Sequence, residues 1–420
     1  MRFSLPTEPE ALASYLPEFM ALVGRDRWIK RANQLADEME RSPHLHKIVL
    51  DYHWLEMNVC HQWEVFTQEK RVDLTALPEL NLAALNFAAT TVEVYKRLNE
   101  KGKQVLSGRV FDALKAENGF AALYLELSLA QRLLKWGFDI ELPDMEGTGQ
   151  FDLLISQGTF SAEVECKSQS VDAGRQIHRK HFYRLTDLVQ RSSNPKHHGH
   201  REVVVVTLSG RLSANLAQQS LLADAVKGLV DSNSISEAKG NGFDLRKIRF
   251  EDVPGVNESL HDPIALKVVL NRAFGHNLHA ATWGNSSNAY LLVIRSNKED
   301  DPSFVTLEAM RKGASQLSKS RPSFLALQEH GIDSTELFLP HVQRRIQILS
   351  NALFHQYRAR HVNAVYVTGY AAVANDRHTL RTPGFVAVNM LAKRRIPEEN
   401  ATALLSGLFQ ERTSVAPPST

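Results

Sequence analysis

The chain of 420 residues is 43% hydrophobic and 23% charged, with a formal net charge of +2; this excludes a disordered or fibrous class and any protein that coats nucleic acid through net charge alone. At roughly 100 to 200 residues per domain, the length predicts two or three domains. The cysteines are Cys60 and Cys166, which exclude a disulfide framework; with no secretory-type pattern over Met1–Ala11 and no apolar run of about 18 residues, the expected setting is the reducing cytoplasm, away from membranes.

From Glu8 to Glu117 apolar positions recur at three and four residues, as in Leu12, Tyr15 and Leu16, and predict an N-terminal all-α domain over residues 1–117 with Trp28, Trp54 and Trp63 as packing residues. An α/β domain is expected over 118–410. A helix over Gly119–Trp136 stops at Gly137, and strand-like runs follow at Phe138–Leu142, Phe151–Ser156 and Phe160–Lys167. The turn signals Glu146-Gly147-Thr148-Gly149 and Gln157-Gly158 separate these runs, predicting a helix followed by an antiparallel hairpin.

The polar, basic stretch Gln169–Arg191 is expected to be helical. Glu202–Leu208, with four consecutive valines, is expected as a buried central strand, with the helix Leu212–Val230 packed on it. Residues 231–287 are rich in Ser, Asn, Gly and His without a period, which predicts an insertion or long loops. Strand-like runs then resume at Ala289–Ile294, Ser323–Gln328, Asn363–Thr368 and Gly384–Asn389, alternating with helical stretches at Thr306–Lys319 and Pro340–Arg360. This alternation predicts a mixed sheet flanked by helices, continuing the same layer. Residues 411–420 are expected to be a disordered tail.

The chemistry concentrates in Glu126 to Lys167. A tight hairpin places Asp152, on one strand, beside Glu165 on the next, where two carboxylates can share a divalent ion. Strand alternation sends Glu163, Glu165 and Lys167 to one face and Val164 and Cys166 to the other. A lysine two residues beyond such a glutamate can orient the attacking water or offset transition-state charge.

This order, Glu126 on a helix, Asp152 on a strand and Glu165-Cys166-Lys167 on the next, resembles the PD-(D/E)XK nuclease superfamily, which includes restriction endonucleases and many repair and defence nucleases. The resemblance covers about residues 119–210. It implies an α/β (α+β) restriction-endonuclease-like core and a metal-dependent nuclease, with DNA favoured over RNA, in bacterial defence, restriction or repair. It also implies Mg²⁺, with Mn²⁺ able to substitute, held by Asp152 and Glu165 with help from Glu126 and the Cys166 carbonyl, while Lys167 serves the water. Phe151 stands where the family has proline, and no Gln-x-x-x-Tyr follows.

Gln169, Arg175, Arg179 and Lys180 are candidate phosphate contacts beside the site. A solvated helix face is the bland alternative. Glu163 is either an accessory ligand or a charge-balancing neighbour. Lys196-His197-His198-Gly199-His200 is expected as a solvated loop and not as a zinc site. Arg311, Lys312, Gln316, Lys319 and Arg321 gather near the end of one helix without an assigned activity. The competing functional reading is a catalytically silent nuclease-fold subunit that binds nucleic acid or protein, in a homodimer or a larger complex.

Overall fold

The computed structural model describes residues 1–75, 78–192, 201–284, 288–330, 337, 339–369, 373–376, 379–381 and 384–409. In chain order the helices and strands are α1 Pro9–Ala13, α2 Leu16–Ala21, α3 Arg25–Arg41, α4 His46–Glu69, α5 Pro78–Arg97, α6 Glu100–Ala113, α7 Ala121–Lys135, β1 Asp139–Glu141, α8 Pro143–Glu146, β2 Leu153–Gln157 and β3 Phe160–Ser170. There follow α9 Arg179–Ser192, β4 Arg201–Leu208, α10 Leu216–Val230, β5 Glu237–Gly240, β6 Phe243–Arg249, α11 Val256–Ser259, α12 Pro263–Phe274, β7 Leu278–Gly284 and β8 Ala289–Ser296. The last are α13 Pro302–Gln316, β9 Ser323–His330, α14 Pro340–Asn351, β10 Val362–Thr368, β11 Val373–Asp376, β12 Thr379–Arg381, β13 Gly384–Val388 and α15 Glu398–Phe409. Among the described residues no helix is long and apolar enough to cross a membrane.

The chain divides into two compact units, one of Met1–Ala36, Val49–Val171 and Ser303–Thr420, the other of Asp37–Ile48 and Asp172–Pro302. The protein is mixed α/β, with a mixed sheet flanked by helices in each unit. In the first unit the sheet order is β1-β2-β3-β9-β10-β13. Strand β2 runs antiparallel to both its neighbours β1 and β3, β3, β9 and β10 run parallel, and β13 returns antiparallel to β10.

One face of this sheet and the N-terminal helices share a single core, from Leu12, Phe19 and Trp28 through Leu127 and Phe138 to Val164, Cys166, Tyr366 and Leu408. The division expected at residue 118 therefore does not mark a break between cores: α7 buries leucines on both sides, towards the earlier helices and towards the sheet. Trp28 is fully buried and stacks on Phe120 at 5.3 Å, and Trp54 is also buried. The opposite face is covered by α13 and α14 through Met310, Ala314, Leu317, Val342 and Ile346 against Leu325, Leu327, Val365 and Val367. Covered on both faces, β9 is buried along its whole length, as a parallel strand between two helical layers must be.

In the second unit the sheet order is β5-β6-β4-β8-β7, with β4 and β8 parallel and the other pairs antiparallel. Val204 and Val206 of β4 pack under α9 and α10, and Val203 and Val205 pack against Phe250, Val256 and Leu270 on the other face, so the valine run is the buried central strand its composition predicts. It does not continue the layer of β3, however. The expected single sheet is two sheets, because β3 finds its parallel neighbour in β9 and β4 finds its own in β8.

Residues 231–287 are not a set of long loops. They supply β5, β6 and β7, in which exposed and half-buried positions follow one another without a clean alternation of buried and exposed. The segment that interrupts the first sheet is the whole of Asp172–Pro302. The basic helix begins only at Arg179, because β3 runs on to Ser170. The expected tail, 411–420, and the histidine loop at 197–200 lie outside the described residues.

Candidate active site

The two-residue loop Gly158-Thr159 joins β2 to β3, with Gln157 paired to Phe160 and Leu153 to Val164. Gly158 has φ +59°, the left-handed conformation that tight hairpins require and glycine adopts without steric cost. Continued by one residue, this register sets Asp152 across from Glu165. Asp152 Oδ2 accepts the Cys166 amide at 2.7 Å, which fixes the aspartate against the strand bearing the glutamate.

Strand alternation sorts the rest of β3. Val164 and Cys166 enter the core, while Glu163, Glu165, Lys167 and Gln169 form a polar row beneath α13. The amide of Ser318 donates to Glu163 Oε2 at 2.7 Å, Lys167 Nζ donates to Glu165 Oε1 and, at 2.7 Å, to Gln316 Oε1, and Gln169 Nε2 donates to Thr306 Oγ1 at 2.6 Å. Halfway along, a Cβ on Gly313 would stand 2.9 Å from Leu325 Cδ2, 3.3 Å from Glu165 Cγ and 3.4 Å from Lys167 Cγ. Glycine at 313 is what lets the helix lie this close to the row.

Glu126 is buried on α7 and accepts Arg109 Nη1 at 2.7 Å, and Arg109 also pairs with Asp144. Burial pushes the Glu126 carboxyl up to about 8, with the Asp152 charge as the second cause, partly opposed by Arg109. Burial and then Asp152 likewise push Glu165 up to about 8 against the pull of Lys167. Asp152 is also raised by burial, against the Cys166 amide and Lys167, which favour its charged form. Three carboxylates thus disfavour one another's ionisation in a desolvated place, an arrangement that added positive charge relieves.

Among the described residues no three or more His, Cys, Asp or Glu side chains form a ready metal cage; Glu126 is turned to Arg109 and Asp152 to an amide. The donor set nevertheless fits a hard cation. Its donors are oxygens, their mutual repulsion is only partly offset by Arg109 and Lys167, and Glu165 Oε2 is buried without a hydrogen-bond partner among the described residues. A cleft of about 450 Å³ adjoins Asp152, lined by Gln150 and Phe151 ahead of it, Ser315, Gln316 and Ser318 at the end of α13, and Arg321.

Asp152, Glu165, Lys167 and Glu126 are therefore neighbours, coupled through space or by hydrogen bonds. The Cys166 thiol is buried and raised well above its ordinary value by burial, and its backbone amide is the group that meets Asp152. Of the candidate phosphate contacts, Gln169 is on β3, whereas Arg175, Arg179 and Lys180 belong to the second unit. There Arg179 Nε donates to both oxygens of Asp172, at 3.1 and 3.2 Å. Sequence reasoning missed Arg109 and Asp144, which no spacing ties to Glu126. It noted Gln316 only within a basic cluster, although a helix ahead of a parallel strand was the signal that α13 would cross over β3. No protein-family model, curated protein or solved structure matches the chain.

Proposed function

We propose that the first unit is a divalent-metal-dependent phosphodiesterase of the PD-(D/E)XK type that hydrolyses nucleic acid, with DNA as the substrate the resemblance favours and bacterial defence, restriction or repair as its setting. The observation that carries this reading is the hairpin register, which sets Asp152 beside Glu165 with Lys167 on the same face, in buried surroundings that raise both carboxyls and that of nearby Glu126. The order within the first unit, α7-β1-α8-β2-β3 and then, after the second unit, α13-β9, supports it, being the helix, antiparallel strands, crossover helix and parallel strand expected of a restriction-endonuclease-like core.

Asp152 and Glu165 would hold Mg²⁺ or Mn²⁺, with Glu126 and the Cys166 carbonyl assisting. When bound, the ion supplies Lewis acidity towards the phosphoryl oxygens and lowers the pKa of water. Lys167 keeps its ammonium between Glu165 and Gln316, where it orients water and offsets charge on the phosphate. Glu126 and Glu165 must release protons as the cation enters, so metal binding and proton release are linked. Arg109 must yield Glu126 to the cation or keep it as a bystander.

The test incubates the protein with plasmid, linear duplex, single-stranded DNA and RNA in Mg²⁺, Mn²⁺ or EDTA, beside folded Asp152→Ala and Lys167→Ala. Metal-dependent cutting lost in both variants is the expected result. The engagement of Glu126 by Arg109 favours the second reading, a nuclease-fold subunit that binds without cutting. Absence of both metal binding and cutting selects it.

A further inference from the structure

A cleft of about 830 Å³ lies on the far side of the α13 C-terminus from the Lys167 row, and six cations line it: Arg311, Lys319, Arg358, Arg360, Lys393 and Arg394. None of its lining residues is acidic. Arg311 pairs with Glu308, outside the lining; among the described residues no carboxylate pairs with the other five. All six are exposed, in a chain whose net charge is only +2. So strong a local excess is unrelieved by the protein itself and favours a polyanion.

Backbone conformation adds an independent observation. Lys319 has φ +65° and Arg358 has φ +54°, in the left-handed region where glycine or asparagine is the easy choice. Of the three described residues other than glycine found there, two are cations of this cleft. Long basic side chains held at backbone positions that disfavour them point to a use for the side chains.

We propose that this cleft binds the sugar-phosphate backbone of a nucleic-acid strand. Four of the six cations are arginines, whose planar forks match phosphate oxygens. The ring of Tyr357, 44% exposed at the cleft with the Arg311 guanidinium 4.3 Å from its centroid, offers a stacking surface to an unpaired base, as single-strand binding sites do. Ser315 lines both this cleft and the one lined by Phe151 and Gln316, so the two clefts meet at the end of α13, whose Gln316 holds Lys167. The binding goes beyond the proposed hydrolysis, because it needs neither metal nor an intact acidic site.

The test is fluorescence anisotropy of a labelled single-stranded DNA oligonucleotide with the full chain in EDTA over a range of salt. Lys319→Gly with Arg358→Gly removes two charges while relieving both backbones, so its Tm should match or exceed that of the wild type while affinity falls at least about tenfold. Arg360→Gln with Lys393→Gln and Arg394→Gln should weaken binding similarly and reduce the salt slope by about 0.7 for each phosphate no longer neutralised. Lys30→Gln with Lys267→Gln and Arg272→Gln is the charge-matched control and should bind as the wild type does. Unchanged affinity in the cleft variants, equal weakening in the control, or a wild type that binds ATP but not the oligonucleotide overturns the proposal. A wild type that cuts nothing yet loses binding in the cleft variants leaves this site standing and removes the hydrolysis; one that cuts, and binds regardless of these cations, does the reverse.

Discussion

Lys167 and Gln316 meet at 2.7 Å, ammonium to amide oxygen, and Gln316 passes the connection on by donating through Nε2 to the Gln150 carbonyl at 3.1 Å. The end of α13 thus ties the lysine of β3 to the loop that precedes Asp152. If Lys167 acts on water and phosphate, Lys167→Ala should lower kcat by about 100-fold or more, the usual cost of removing a transition-state donor, with KM nearly unchanged. Gln316→Ala leaves the ammonium in place but less restrained, and should lower kcat by about tenfold. Steady-state kinetics in Mg²⁺ on folded variants decide; equal, negligible effects would remove Lys167 from the mechanism.

Asp152 has a structural duty besides its proposed metal role, since it accepts the buried Cys166 amide. Asp152→Asn retains an acceptor of the same shape and should stay within a few degrees of the wild-type Tm. Asp152→Leu strands the amide and should cost about 1 to 3 kcal/mol. Both should abolish the rise in Tm that Mg²⁺ gives the wild type. Calorimetry with and without Mg²⁺ measures all three, and a persisting Mg²⁺ shift in Asp152→Leu would falsify the ligand assignment.

In the unfolded chain Glu165 ionises near 4.5, whereas in the folded protein burial and Asp152 hold it up to about 8. Between these values the folded state keeps a proton that the unfolded state releases. The stabilising effect of the protonated carboxyl is therefore complete below about pH 4.5 and lost as pH rises through about 8. Glu165→Gln imitates the protonated form and does not titrate. Without metal, its Tm relative to the wild type should climb by about 3 °C or more between about pH 5 and about pH 9. Saturating Mg²⁺ should narrow that gap at the alkaline end, and a difference independent of pH would show that Glu165 is not strained as its surroundings indicate.

Glu163 is fully buried, with its carboxylate taken by Ser318 and by Arg321 at 3.2 Å. This occupancy makes it a clasp between β3 and the segment after α13, with no oxygen to spare for a cation. Glu163→Gln should lower stability by about 1 to 3 kcal/mol and leave metal-dependent cleavage per folded molecule within about twofold. Denaturant titration and initial rates separate the two effects; a collapse in rate with stability intact would make Glu163 a ligand.

The hairpin was legible because its determinants are local. Gln157-Gly158 marks the turn, the alternation Glu-Val-Glu-Cys-Lys tells which side chains share a face, and Gly137 marks where α7 stops. What surrounds the hairpin was not legible, because it arrives from far along the chain. Nothing near Lys167 indicates that its strand neighbour is Leu327, or that Gly313 and Gln316 will cover it. The alternation of later strands and helices led to the expectation of one continuing layer. The valines of β4 satisfy both faces of their own sheet instead, and the edge strands β5, short and polar, and β7, mostly half-buried, gave no period by which that sheet could be anticipated. Arg175, Arg179 and Lys180 were assigned to the site on the same assumption of continuity.

The order in which the chain is made carries a consequence. During synthesis, the strand bearing Glu165 and Lys167 leaves the ribosome before all of Asp172–Pro302, and only afterwards do α13 and β9 follow. At usual elongation speeds this interval is on the order of ten seconds. Until β9 follows, the backbone edge of β3 that it will pair with has no strand beside it, the kind of edge that invites association with other chains. The second unit thus acts as a built-in delay, and a ribosome stalled within it displays a half-built centre that lacks Gln316 and cannot yet restrain its lysine.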